Sequence, residues 1–238
     1  MNGVFGDNSM NCKEKVSWII DHAATGKQSG LNEFESKEIL SAYGIPVTRE
    51  ILVTTSEELT RASESIGYPL VLKGCSADIS HKTEKNLVAL NIESRNDAIV
   101  EYNRLRTAMG KAGEGVLVQE MIKGDRELVM GMTRDLQFGP CVMFGLGGIF
   151  TEILNDVSFR KAPLERSDAL EMMREIRGHK ILEAFRGYPA ADMDKLTDML
   201  IAIGQIALDM DIISEIDLNP VILSGTVPVA ADALIILK

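Results

Sequence analysis

Apolar side chains recur along this chain with two periods, and the period changes repeatedly from one segment to the next. Val16, Ile19, Ile20 and Ala23 follow helical spacing and predict a helix over 13–24. Phe34, Ile39, Leu40 and Tyr43 predict a second, opened by Asn32 as its cap and stopped by Gly44 and Pro46. A third is expected over 56–66, with Ser56 as cap and Gly67 just past its end. Further helical patterns cover 95–109, 166–184 and 192–210. Between them, short apolar runs predict strands at 50–53, 70–73, 87–92, 116–121, 127–132, 139–144, 159–162, 212–218, 221–223 and 228–237. The strands at 116–121 and 127–132 read as a hairpin turned at Gly124-Asp125. Strands joined both by hairpins and by helices predict a mixed sheet and an α+β or α/β class.

Composition adds bounds. The chain has 238 residues, 45% hydrophobic and 25% charged, enough apolar material for one large core or two small ones. A net charge of −10 without a basic cluster argues against nucleic acid and anionic membrane surfaces as partners. An anionic nucleotide would need local lysines, helix N-termini or a divalent cation. Cys12, Cys75 and Cys141 are widely spaced and form no CxxC pair, so neither a disulfide framework nor a zinc site is expected. No apolar run reaches membrane-spanning length, and the polar start does not read as a signal peptide. A soluble, cytoplasmic chain is expected.

The candidate chemistry sits in five places. At Val71-Leu72-Lys73-Gly74 an apolar strand ends in a lysine, and a polar loop follows with His81 set among charges. Lysine is a point cation suited to phosphate, and histidine can accept and pass on a group near neutral pH. Glu215, Asp217 and Asn219 alternate and share one face of a strand, and Asp232 can return from the next. Such an oxygen-rich patch suits Mg²⁺, which commonly shares ligands with nucleotide phosphates; a solvated polar face is the alternative. Glu120-Met121-Ile122 with Glu127 reads as a nucleoside hinge, where backbone groups meet a base and a carboxylate meets ribose; a plain hairpin with exposed acids is the alternative. Gly147 and Gly148 would let backbone amides approach an anion, or simply make a tight turn. Arg160, amid apolar neighbours, needs an anionic partner: a phosphate or Asp156. No GxSxG elbow or HExxH motif is present, and His22 and His179 lack partners in sequence.

Four blocks in order carry a family resemblance over about residues 31–238. They are Leu31-Asn32-Glu33-Phe34-Glu35-Ser36-Lys37 with Tyr43-Gly44-Ile45-Pro46; Gly67-Tyr68-Pro69 through His81-Lys82; Phe138-Gly139-Pro140 through Glu152; and Glu215 through Pro220. The chain resembles the β subunit of ADP-forming acyl-CoA synthetases, an ATP-grasp protein related to the succinyl-CoA synthetase β subunit. The resemblance implies an ATP-grasp fold of two α+β subdomains, about 31–113 and 114–238, with nucleotide between them and an extra helical segment at 1–30. It implies the reaction acyl-CoA + ADP + phosphate ⇌ carboxylate + CoA + ATP, with Mg²⁺ and ATP/ADP as cofactors. An α partner would carry the CoA site and the first phosphohistidine, in a hetero-oligomer.

By the same resemblance His81 joins the phosphoryl relay, oriented by Asp217 near Glu215. Lys73 contacts phosphates, Glu120, Met121 and Ile122 sit by the adenine, and Glu127 lies near the ribose. Gly147 and Gly148 line the nucleotide, Asn219 and Asp232 hold Mg²⁺, and Arg160 faces the transferred group. One departure stands out: Asn86 and Leu87 occupy positions that are usually glycine in the family. Two other readings fit parts of this pattern: a stand-alone ATP-grasp carboxylate ligase, and a nucleotide-binding regulatory subunit without turnover.

Overall fold

The computed structural model describes residues 12–26, 28–77, 86–110, 113–148 and 156–238. The 1–11 segment, His81 and its loop at 78–85, and 149–155 with Thr151 and Glu152 lie outside the described residues.

Two helices lead: α1 (Cys12–Thr25) and α2 (Glu33–Ala42). Asn32 caps α2 as expected. Its side chain accepts from Glu35 N at 2.9 Å, and Glu35 returns the contact to Asn32 N at 3.1 Å. A smaller unit follows, made of β1 (Glu50–Val53), α3 (Ser56–Ile66), β2 (Leu70–Cys75), β3 (Val88–Ile92), α4 (Arg95–Met109) and β4 (Gly115–Glu120). The cap of α3 is Thr55, one residue before the expected Ser56, because Thr55 and Glu58 close a reciprocal capping box. The larger unit contains β5 (Glu127–Asp135), β6 (Gly139–Leu146), β7 (Val157–Lys161), α5 (Arg166–Glu175), α6 (Met193–Asp209), β8 (Ile213–Ser224), β9 (Val227–Ala230) and β10 (Leu234–Leu237).

The strands form two sheets, ordered β1-β4-β2-β3 and β10-β8-β5-β6-β7, with β9 against β8. Every ladder between these strands is antiparallel, so the class is α+β and the expected mixed sheet is corrected. The reason lies in the crossovers. β1 and β2, joined through α3, are separated by β4; β3 and β4, joined through α4, are separated by β2. Parallel strands never become neighbours.

The expected hairpin between β4 and β5 is also absent. β4 is interior to the smaller sheet and β5 interior to the larger, so 121–126 passes from one sheet to the other. Val116 and Val118 bury into the smaller core, whereas Leu128, Met130 and Met132 bury into the larger. The expected helix over 166–184 ends at Glu175 and gives way to a 3₁₀ turn, His179–Leu182. Both oxygens of Asp156 draw the backbone N–H groups of Arg177 and Gly178 out of the helix, at 2.7 Å each. The two strands expected at 212–218 and 221–223 are one, β8, running through Pro220, where its register against β5 shifts. The strand expected at 228–237 is two, since Ala231 N turns back to Pro220 O.

Two cores result. Leu59, Leu70, Leu72, Leu105 and Val118 fill the smaller, under α3 and α4. The larger holds Phe144, Met130, Leu200, Ile203 and Ile216, and also Val16 and Ile19 of α1 and Ile39 and Leu40 of α2. The apolar side chains of α1 and of residues 31–45 thus join the larger core, while Glu33 and Lys37 bond Lys73, Glu50 and Gln119 of the smaller unit. Phe144 is fully buried. Phe144→Ala should lower unfolding stability by about 3–5 kcal/mol, read from urea midpoints at constant slope.

Candidate functional site at the junction of the two sheets

The site assembles where the faces of the two sheets opposite their cores meet α2. On β2, Leu70 and Leu72 enter the core, which turns Lys73 to the other face. On α2, Glu33 and Lys37 are one turn apart. Glu33 Oε1 accepts from Lys73 Nζ at 2.7 Å and from Lys37 Nζ at 2.8 Å. Lys73 Nζ also donates to Ala231 O at 2.8 Å and lies 3.6 Å from Asp232 Oδ2. Burial pulls the Lys73 pKa down, but Glu33, Asp232 and Glu50 outweigh it and leave the pKa raised, so this ammonium stays charged. Burial pushes the Glu50 carboxyl up, against the pull of Lys37.

The acidic stripe forms as expected. Ile216, Leu218 and Val221 of β8 enter the larger core, leaving Glu215, Asp217 and Asn219 on the opposite face. Asp217 is raised to about 6, first by burial and then by the charges of Glu215 and Asp232. That mutual repulsion is what a cation would relieve. Among the described residues, no three His, Cys, Asp or Glu side chains converge to hold a metal by themselves. An all-oxygen partial set of this kind fits Mg²⁺, which takes its other ligands from phosphate and water.

At the other end of the same face, Glu127 opens β5 beside Gly147 and Gly148. Gly147 N donates to Glu127 O at 2.8 Å. A Cβ on Gly147 would meet Glu127 C and Leu128 N at 2.8 Å, and Gly148 sits at φ +64°, so both positions need glycine. The linker between the sheets is anchored by Arg126, which donates to Ile181 O and Gly225 O at 3.0 and 2.8 Å. The Glu120 carboxylate is taken by Arg49, through its backbone N and its Nε, both at 2.8 Å. Glu120 N donates to Arg49 O at 3.0 Å, so the backbone at 121–122 remains for a base. Among the described residues, no backbone group bonds that of Met121 or Ile122.

Lys73, Asp232 and Asp217 therefore come together, as do Glu127, Gly147 and Gly148. Arg160 does not join them. It lies opposite Val142, on the helix-covered face, and its guanidinium pairs with Glu175 of α5 at 2.9 and 2.5 Å. The expectation that it faces phosphate is corrected: strand alternation puts it on the wrong side of the sheet. Its partner is not Asp156 either, because Asp156 caps the turn at 177–178. Sequence reasoning gave no role to Lys37, Glu50, Thr48 and Gln119. The available signal was a Glu-Lys pair at helical spacing, Glu33 and Lys37, beside Leu40 one turn on.

A model of the ATP-grasp domain matches residues 22–237. The chain belongs to the ATP-grasp family. It is 42% identical over 231 residues to the β subunit of acetate–CoA ligase (ADP-forming) I from Pyrococcus furiosus, covering 94% of this chain and 98% of that one. Among solved ATP-grasp structures, the Korarchaeum cryptofilum acetyl-coenzyme A synthetase 1 bound to coenzyme A and Ca-AMPCP superposes with a TM-score of 0.88. It is 40% identical, and the match covers 92% of this chain and 98% of that one. A second form, with Mg-AMPPCP and a phosphohistidine segment pointing towards the nucleotide site, gives 0.82 at 38% identity, covering 94% and 100%.

Because Asp217 titrates near 6 in the folded chain against a usual 3.8, folding favours its protonated form, and stability falls as pH rises from 4 to 6. Asp217→Asn should therefore be more stable than wild type at pH 8, on the order of 2 kcal/mol. The gain should vanish near pH 3.5, in urea unfolding without nucleotide or divalent cation.

Proposed function

We propose that this ATP-grasp chain is the nucleotide-binding β subunit of an ADP-forming acyl-CoA ligase, interconverting acyl-CoA, ADP and phosphate with carboxylate, CoA and ATP together with an α partner. The observation that carries the reading is the meeting of Lys73, from the smaller sheet, with Asp232, from the β9–β10 connection of the larger unit, at 3.6 Å. A 42% identity over nearly the whole length of a chain named as a β subunit supports a partner requirement.

In this reading the base lies against the backbone of Met121 and Ile122, the ribose against Glu127, and the phosphates between Gly147, Gly148 and Lys73. Asn219 and Asp232 would hold Mg²⁺, which neutralises phosphate charge when bound. Phosphoryl transfer asks a protein mainly for positioning and charge neutralisation. Lys73 supplies a fixed cation, and Asp217 and Glu215 supply carboxylates that can hold a histidine ring by its N–H. His81, with a nucleophilic nitrogen at neutral pH, would accept the group from the α partner and pass it to ADP. Arg160 has no part in this scheme.

The α partner should co-purify with a tag on this chain, and the complex should form ATP from acetyl-CoA, ADP and phosphate. His81→Asn should reduce that rate to background while leaving the complex and ADP binding intact. ATP formation by the chain alone, or a rate unchanged by the substitution, would overturn the relay.

Lys73→Met removes the fixed cation and should weaken ADP binding about tenfold or more in calorimetry, on the scale of one charge-assisted hydrogen bond.

A further inference from the structure

Lys37 is fully buried, and it reaches Glu50 and Gln119 on the same face of the smaller sheet as Lys73. Its Nζ lies within 3.0 Å of five oxygens: Glu33 Oε1, Thr48 Oγ1, Glu50 Oε2, Gln119 Oε1 and Ala231 O. An ammonium has three N–H groups, so these oxygens share donors and none moves independently. Two of the five, Glu33 Oε1 and Ala231 O, are also the two acceptors of Lys73. Ala231 precedes Asp232, the proposed metal ligand. A single cation thus sets the oxygen pair that aims Lys73 and the backbone that presents Asp232, across elements from both sheets.

We infer that Lys37 is a positioning residue for phosphate recognition, acting through Glu33 and Ala231 on Lys73 and Asp232. The inference rests on the nucleotide reading above and adds to it a residue that touches no ligand. Lys37→Met alone would strand Glu33 and Glu50 as buried charges and endanger folding. Lys37→Met with Glu50→Gln removes one charge of each sign and avoids this. Lys37→Arg is the second variant: it keeps the charge but replaces a point cation by a planar fork.

The test is calorimetric titration of the full chain with ADP plus Mg²⁺ and, separately, with adenosine, in wild type, both variants, Lys73→Met and their combinations. Folding is verified by urea unfolding. The expected result is an ADP affinity lower by about tenfold in either variant, as for loss of one charge-assisted hydrogen bond. Adenosine affinity should stay within about twofold, and combination with Lys73→Met should add little further loss. Equal losses for ADP and adenosine, or losses that add fully to those of Lys73→Met, would make Lys37 a purely structural residue and overturn the inference. Absence of ADP binding in wild type would instead sink the nucleotide reading, and this inference with it.

Discussion

Two ammonium groups share one carboxylate oxygen at the seam of this molecule, and the arrangement of both sheets is tied to keeping them satisfied. Removing a charge from water costs several kcal/mol even after relaxation, and the loss of one partner from a buried pair typically costs about 3–5 kcal/mol. Such a cluster is tolerable only when nearly every donor finds an acceptor. Here Lys37 and Lys73 face Glu33, Glu50, Gln119, Thr48 and the Ala231 carbonyl. These groups come from α2, β1, β2, β4, the lead-in to β1 and the β9–β10 connection. Small rotations of one unit against the other would break several of these bonds at once. The apolar cores set each unit, but the polar seam sets their relation.

That constraint also explains how an acidic protein can offer a site to an anion. With a net charge of −10, attraction at long range is unfavourable. The local balance differs, because the carboxylates that hold Lys73 in place also keep it charged. Asp217 shows the converse: burial first, and then the like charges of Glu215 and Asp232, push its carboxyl up to about 6. Cation and anion sites are thus built side by side on one face, a suitable surface for a phosphate chain accompanied by a divalent ion.

The segment between the sheets gains its importance from topology. As a hairpin, 121–126 would have spent its backbone groups on a turn. As a link between two sheets it is held by Arg126 at one end and by the Arg49–Glu120 pair at the other, and its middle is free to meet a ligand edge. Asn86, which stands where the resembling family has glycine, adopts φ +55°, a region that asparagine tolerates better than most residues, and Arg104 donates to its carbonyl at 2.6 Å. Leu87 is buried in the smaller core. The departure from glycine therefore leaves the backbone path into β3 available.

What could be read without tertiary structure was whatever is encoded locally. Helical and strand periods placed α2, α4, β2 and β5 nearly at their bounds, and strand alternation alone put Glu215, Asp217 and Asn219 on one face. The four sequence blocks sufficed for the family. Strand partners were not legible, because a hairpin and a link between two sheets present the same short polar segment between two apolar runs. Arg160 was misplaced because residue type cannot reveal which face of a strand is covered by helices. The core of residues 31–45 and the role of Lys37 depend on groups up to 194 residues apart in the chain. No local pattern encodes such contacts, since the desolvation that makes Lys37 matter exists only once the sheets have met.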